Sequence, residues 1–515
     1  MNQPKNTSRK TTVRMQAPLG ERQIVTELSE DIELPDYQPE IKRLLRVEAN
    51  VSPAEVYIGA GNVECTGTVD YSILYSGADG MLWCATPSGA YRYTFPVELP
   101  ADFDAGDGLI CDTASQPENV SGRVTAPRRL TLRCRLRTRA QLWGTRVMPD
   151  PTEQLPGIQR LTEARDCARL FLGAGEPFTV GDEILCDPRD GDVRVISAGG
   201  QVFVTEAAAG SGTVDCRGEV CLRLLCCHDG TGEVYPVLRR VPFAQTVDME
   251  GVEVNCEATA TGHLGDLRVT VGDGRIVCDA AVSLAVRATR NETVSLLRDA
   301  YATGSECEAV TRTLRIPVAL RTVLGNFTVG HTAALEDAGM RPGMQVIDAD
   351  GTVTMGETEC ARGKYVLTGK CRFRLITVAD GDWSVQEIEV PVRYSVEGAG
   401  HEDCPVAATE ADACVISCRA RADGEKLVLD AEIAVSGTLR GEAAAPVLSE
   451  LTPGAAWQMP GAVYTVCYPA KDDTLWRVAK RYHVPVSELI AKNALAQAPA
   501  ADAPDSLAGV RYLLV

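Results

Sequence analysis

Few stretches of this 515-residue chain gather side chains able to do chemistry. Cys221, Cys226, Cys227 and His228 offer thiols and an imidazole, the donors that suit zinc. They lack a paired C-x-x-C spacing, and three of the four fall on a predicted strand whose neighbours alternate sides. Asp348-Ala-Asp-Gly351 begins like a calcium loop without the distal Glu that would complete one, so the spacing predicts a β-turn. Gly59-Ala-Gly61 and Gly210-Ser-Gly212 each precede a strand, not the helix N-terminus that a phosphate-cradling loop requires. His228, His263, His331, His401 and His483 stand in no motif with a Ser or Cys nucleophile. No catalytic residue, cofactor or metal is expected. What remains is a surface. Near the C-terminus Trp476, Arg477, Lys480 and His483 share the outer side or rim of a predicted helix, an aromatic among basic groups being the mix that anchors protein interfaces.

That helix belongs to a small predicted module. Tyr464, Val466 and Tyr468 alternate with Thr465 and Cys467 as a strand does, and Leu475, Val478, Ala479 and Tyr482 follow at helical spacing. Asp473 is placed to cap this helix, with Lys480 and Arg481 favoured near its other end by the dipole. Val486, Leu489 and Ile490 predict a second helix between Pro485 and Asn493, and Tyr512 to Val515 a closing strand.

The body ahead of the module is larger and differently patterned. Apolar residues make up 45% of the chain and aromatics only 5%, so its cores must rest on Val, Leu, Ile and Ala. The formal charge of -19 repels phosphate backbones, and nucleic acid is not an expected partner. Nineteen cysteines are an odd number, and Met1 to Met15 is polar and basic without an apolar run, so the expected compartment is reducing. No uninterrupted apolar segment reaches membrane-spanning length.

An internal repeat gives the organisation. Glu64-Cys-Thr-Gly67 and the strand it opens recur as Asp215-Cys-Arg-Gly218 and Val366-Leu-Thr-Gly369, each glycine 151 residues from the next. Every copy runs through a Gly-containing turn to Phe95-Pro-Val97, Val241-Pro-Phe243 or Val390-Pro-Val392, which predicts a hairpin repeated three times. Leu130 to Leu136, Ile276 to Val282 and Leu427 to Ile433 add further strands with one buried face. The reading is a mainly β chain: three tandem antiparallel sandwich or barrel-like domains and a small C-terminal βααβ domain. The expected segments are a disordered basic arm (1–18, with Lys5, Arg9, Lys10 and Arg14), β domains at 19–148, 165–300 and 308–448, a Pro/Gly-rich linker (449–461) and the module (462–515). Short helices are expected at Pro39 to Leu45 and within Pro151 to Leu170.

The order strand, helix, helix, strand, with Asp473-Thr-Leu-Trp476 opening the first helix, resembles the LysM domain. Asp472 stands where that family usually has Gly, and eleven residues separate Leu495 from Leu507. Both departures lie in loops that line the sugar groove of glycan-binding LysM domains. The three β units, the first carrying Asp31-Ile-Glu-Leu-Pro35, Ile41 and Leu44, resemble the SPOCS domain of spore-coat proteins. Together the two resemble the SipL-type spore-coat morphogenetic family. That resemblance implies a non-enzymatic adaptor in the mother-cell cytoplasm at the forespore surface and in the spore coat. Its LysM end would hold a self-assembling coat morphogenetic ATPase, with other coat proteins as further partners and peripheral association with the forespore outer membrane. The alternative it leaves is binding of peptidoglycan or other N-acetylglucosamine polymers. A reducing compartment predicts that most thiols are free in protein purified without oxidation. Thiol titration of the denatured, unreduced chain measures this, and near-complete pairing would overturn the compartment.

Overall fold

A computed structural model describes residues 12–515 except 60, 105, 107, 154, 187–191, 342, 362–363, 398–405, 459–464, 471–472, 496–506 and 508–509. The chain is mainly β, with several separate antiparallel sheets and two short helices near the C-terminus. The first unit holds β1 (Val13–Glu33), β2 (Ile41–Val51), β3 (Glu55–Ile58), β4 (Asn62–Gly77), β5 (Leu82–Ala85), β6 (Ser88–Pro96), β7 (Ile110–Ala126) and β8 (Arg129–Met148). The second holds β9 (Ile158–Ala174), β10 (Phe178–Leu185), β11 (Val193–Ala209), β12 (Thr213–His228), β13 (Val234–Asp248), β14 (Glu257–Gly272) and β15 (Arg275–Ala302). The third holds β16 (Ser305–Ala334), β17 (Gln345–Ala361), β18 (Lys364–Ala379), β19 (Asp382–Glu397), β20 (Val406–Asp423) and β21 (Lys426–Ala456).

Each unit follows one plan. A long opening strand leads to a meander centred on β4, β12 or β18, and a closing hairpin returns so that its last strand pairs with the first. The two sheets bury their facing sides together. In the first unit Val63, Cys65, Val69, Tyr71 and Ile73 of β4 meet Leu130, Leu132, Cys134 and Leu136 of β8, and the other two units build cores of the same kind.

The repeated residues have physical reasons. A Cβ on Gly67 would lie 2.5 Å from the Tyr91 ring, one on Gly218 2.2 Å from the Phe203 carbonyl oxygen, and one on Gly369 2.4 Å from that of Thr354. Only a residue without a side chain admits these approaches. Pro96, Pro242 and Pro391 all sit on edge strands β6, β13 and β19, where a missing N–H breaks no ladder and blocks pairing with another chain.

The units also pack on one another. The registers of β2, β11 and β17 against their neighbours all have one of their two shifts at the same repeat position, skipping Leu45, Ile196 and Ile347. A bulge re-aims the side chain it inserts. Leu45 and Ile196 enter one buried cluster with Leu74, Leu82, Leu225, Cys227 and Ile376, and Ile347 packs against it. Equivalent positions of all three units thus converge, as around a threefold axis. A second shared cluster joins Met15 and Met148 to Cys167, Leu296, Leu314, Ile316, Ala445 and Val447.

Several expectations change. Residues from Val13 onward, assigned to the basic arm, are strand, and Arg14 pairs with Asp104 at 2.6 Å; Lys5, Arg9 and Lys10 lie outside the described residues. The helix expected at Pro39 to Leu45 is replaced by β2, whose Leu45, Arg46 and Val47 are all buried. The helix expected within Pro151 to Leu170 is replaced by a turn and then β9, which finds its hydrogen bonds on the long β15. The linker expected at 449–461 is strand as far as Ala456, because β16 runs on to pair with it. Gly218→Ala is predicted to destabilise the protein by about 1–3 kcal/mol, since the carbonyl it would strike is backbone and cannot step aside. Thermal unfolding by circular dichroism measures this, with Gly230→Ala, where a Cβ meets open space, as the control.

Candidate functional site

The C-terminal module is built as its pattern predicts. Strands β22 (Val466–Cys467) and β23 (Leu513–Leu514) pair, and helices α1 (Leu475–Tyr482) and α2 (Val486–Lys492) cover one face. Leu475, Val478 and Ala479 are buried and Tyr482 is half-buried. Thr474, not Asp473, is the N-cap, its hydroxyl accepting from the Arg477 amide at 3.2 Å. Asp473 instead accepts from the Ala470 amide and pairs with Arg481 at 2.7 Å, and the loop amide and the guanidinium hold its carboxyl below the usual range. The α1 C-cap His483 adopts a left-handed conformation (φ 55), letting the chain turn into α2. Tyr464, Asp472 and all eleven residues between Leu495 and Leu507 lie outside the described residues.

Trp476, Lys480 and His483 do share a surface, as their spacing predicts, but that surface is covered. Trp476, expected to point outward, is only 8% exposed, because the end of β15 lies against it. The Trp476 Nε1–H donates to Asp299 Oδ2 at 2.8 Å, and Lys480 Nζ reaches both Asp299 oxygens at 2.6 and 2.8 Å. The Tyr301 hydroxyl donates to the Val484 carbonyl at 2.7 Å, and its ring meets Trp476 edge-on at 4.9 Å. His483 Nδ1 lies 2.8 Å from the Ala302 carbonyl oxygen while its ring stacks on Trp457 at 4.2 Å. Arg477, one turn away, stays exposed. Burial pushes the Tyr301 phenol well above its ordinary value, which keeps it a donor.

Residues 470–498 match the LysM domain family. The C-terminal module is a LysM domain. No curated protein and no solved structure gives a significant match to the chain. The LysM domain is seated on the β body through its first helix.

Elsewhere the sequence candidates disperse. Cys226 lies in the core of the second unit, Cys227 in the shared apolar cluster and Cys221 beside Phe203 and Ile416. His228 stacks on Tyr235 at 4.5 Å. Burial pushes the Cys221 thiol up to about 11 and that of Cys226 to about 12, which suppresses the thiolate that binds metal or reacts. Gly210-Ser-Gly212 is the turn between β11 and β12.

Asp348-Ala-Asp-Gly351 is not the expected turn. It lies within β17, where the register shift beside Ile347 aims both carboxylates at the other units. Arg46 of the first unit donates to Asp348 at 2.8 Å, both side chains being nearly inaccessible. Arg223 of the second unit bonds Glu48 of the first at 3.0 Å and Asp350 of the third at 2.6 Å. This cluster faces a cavity of about 1010 Å³ between the units. Burial opposes ionisation of Glu48, but Arg46 and Arg223 outweigh it and hold that carboxyl low. Burial, then the nearby Glu48 charge, push Asp350 up to about 7 against the pull of Arg223. Sequence reasoning missed this cluster, although in the 151-residue register Glu48 and Asp350 are equivalent, as are Arg223 and Arg374. Because the folded state raises the Asp350 value above the ordinary 3.8, its contribution to stability is complete below about pH 4 and is lost as pH rises through 7. Asp350→Asn is predicted to remove on the order of 1 kcal/mol of the stability change between pH 6 and 8. Denaturant titrations of both proteins at the two pH values measure the difference, and identical profiles would place the titration elsewhere.

Proposed function

We propose that this chain is a non-enzymatic scaffold of spore-coat assembly. It works in the mother-cell cytoplasm at the forespore surface, holding a self-assembling coat morphogenetic ATPase through the LysM domain. In this reading the three β units are SPOCS domains and form the platform, which associates with other coat proteins and the forespore outer membrane surface. The partner face is α1, with Trp476, Arg477, Lys480 and His483. The observation that carries the reading is the seating of the LysM domain. Asp299, Tyr301 and Trp457 of the body engage Trp476, Val484 and His483, so this side of α1 already makes the aromatic and charged contacts that a protein partner would use. Joining two modest contacts through one chain raises the avidity of both.

The LysM match favours a second reading, binding of peptidoglycan or a related N-acetylglucosamine polymer. Co-sedimentation of the full chain with filaments of the coat ATPase, and separately with insoluble peptidoglycan, distinguishes the two. Scaffold function predicts retention on the filaments that is lost on removing residues 462–515. Retention on peptidoglycan alone replaces it with the glycan reading.

A further inference from the structure

We infer that the seat of the LysM domain is a releasable latch that masks the partner face, so that a partner must displace strand β15 before it can engage α1. The inference rests on the assignment of α1 as partner face made above. Three observations carry it.

The body occupies the same side chains. Asp299 takes up the Trp476 N–H and the Lys480 ammonium together, leaving neither to a second protein while the seat is closed. Most of the domain's own core lies away from the seat. Val478, Ala479, Leu489 and Leu513 are essentially inaccessible on the other side of α1, and of the buried residues in that cluster only Tyr301 comes from the body. The ion pair within the contact is of a kind that opens readily. The side chains of Lys480 and Asp299 keep 37% and 22% of their exposure, so water and salt reach the ion pair and it holds weakly.

The seated and released forms are thus two packings of intact parts. A partner that binds only the released form has its apparent affinity reduced by the fraction released, and any change that weakens the seat raises that affinity without touching the partner's contacts.

Hydrogen exchange on the full chain, read by mass spectrometry, tests this without a partner. Asp299→Ala should raise exchange about tenfold or more across 475–483 and at 299–302 together, the scale expected for losing charged hydrogen bonds. Peptides from α2 and β23 should keep their protection. Trp476→Phe keeps an aromatic ring and removes one donor, and should give a smaller rise at the same places. Unchanged exchange in both variants overturns the latch. So does loss of protection throughout the LysM domain, because the contact would then be part of its fold. Sedimentation with the coat ATPase supplies the second arm. Several-fold stronger binding by Asp299→Ala than by the unaltered chain supports masking, and equal binding despite released exchange overturns it. If neither form binds the ATPase, the scaffold reading fails, and the latch stands or falls on the exchange data.

Discussion

A strand has two faces, and at the centre of this molecule both are taken. Ile73 and Tyr75 point into the core of the first unit while Leu74 between them points into the cluster shared by all three. Leu224 and Cys226 do the same for the second unit, with Leu225 and Cys227 turned to the shared cluster. Such a segment has no polar side to give to water, so each unit alone would expose an apolar stripe. The bulges at Leu45, Ile196 and Ile347 answer this by turning one more side chain of each unit inward. Closure of the three units on one another is therefore a condition of their folding as they do, not an arrangement added afterwards.

Charge then decides which closure forms. Apolar clusters tolerate slippage, whereas Arg46 against Asp348 and Arg223 between Glu48 and Asp350 match in one arrangement only. Buried ion pairs contribute little net stability but are costly to break singly. Arg287 against Asp112 at 2.8 Å repeats the device between closing hairpins of the first and second units, and Arg440 of the third donates a charged hydrogen bond to Gln141 of the first at 2.7 Å.

The features legible in the sequence are those with local or periodic causes. Alternation and the 151-residue spacing of Gly67, Gly218 and Gly369 identify the β units, and helical spacing identifies α1 and α2. What was not legible depends on residues far away in the chain. Asp348 and Asp350 look like a turn until Arg46 appears, 302 residues distant. Residues 39–45 resemble a helix because burial on two faces mimics helical spacing. Trp476 looks exposed because nothing in its neighbourhood announces Asp299, 177 residues upstream and at the margin of its unit.

The arrangement at the centre also bears on why one polypeptide carries all three units. Position by position, the repeat places Arg46, Ser197 and Asp348 at one level, and Glu48, Gly199 and Asp350 at the next. Three identical subunits could not do this. Copies of the first unit would bring three Arg46 guanidiniums together, and copies of the third three Asp348 carboxylates, each set repelling itself at close range. Joining the units in one chain frees each level to differ, so that an arginine from one meets an acid from another. The symmetry survives in the backbone and has been abandoned in the side chains, leaving a body that is trimeric in shape yet has no homotrimeric equivalent.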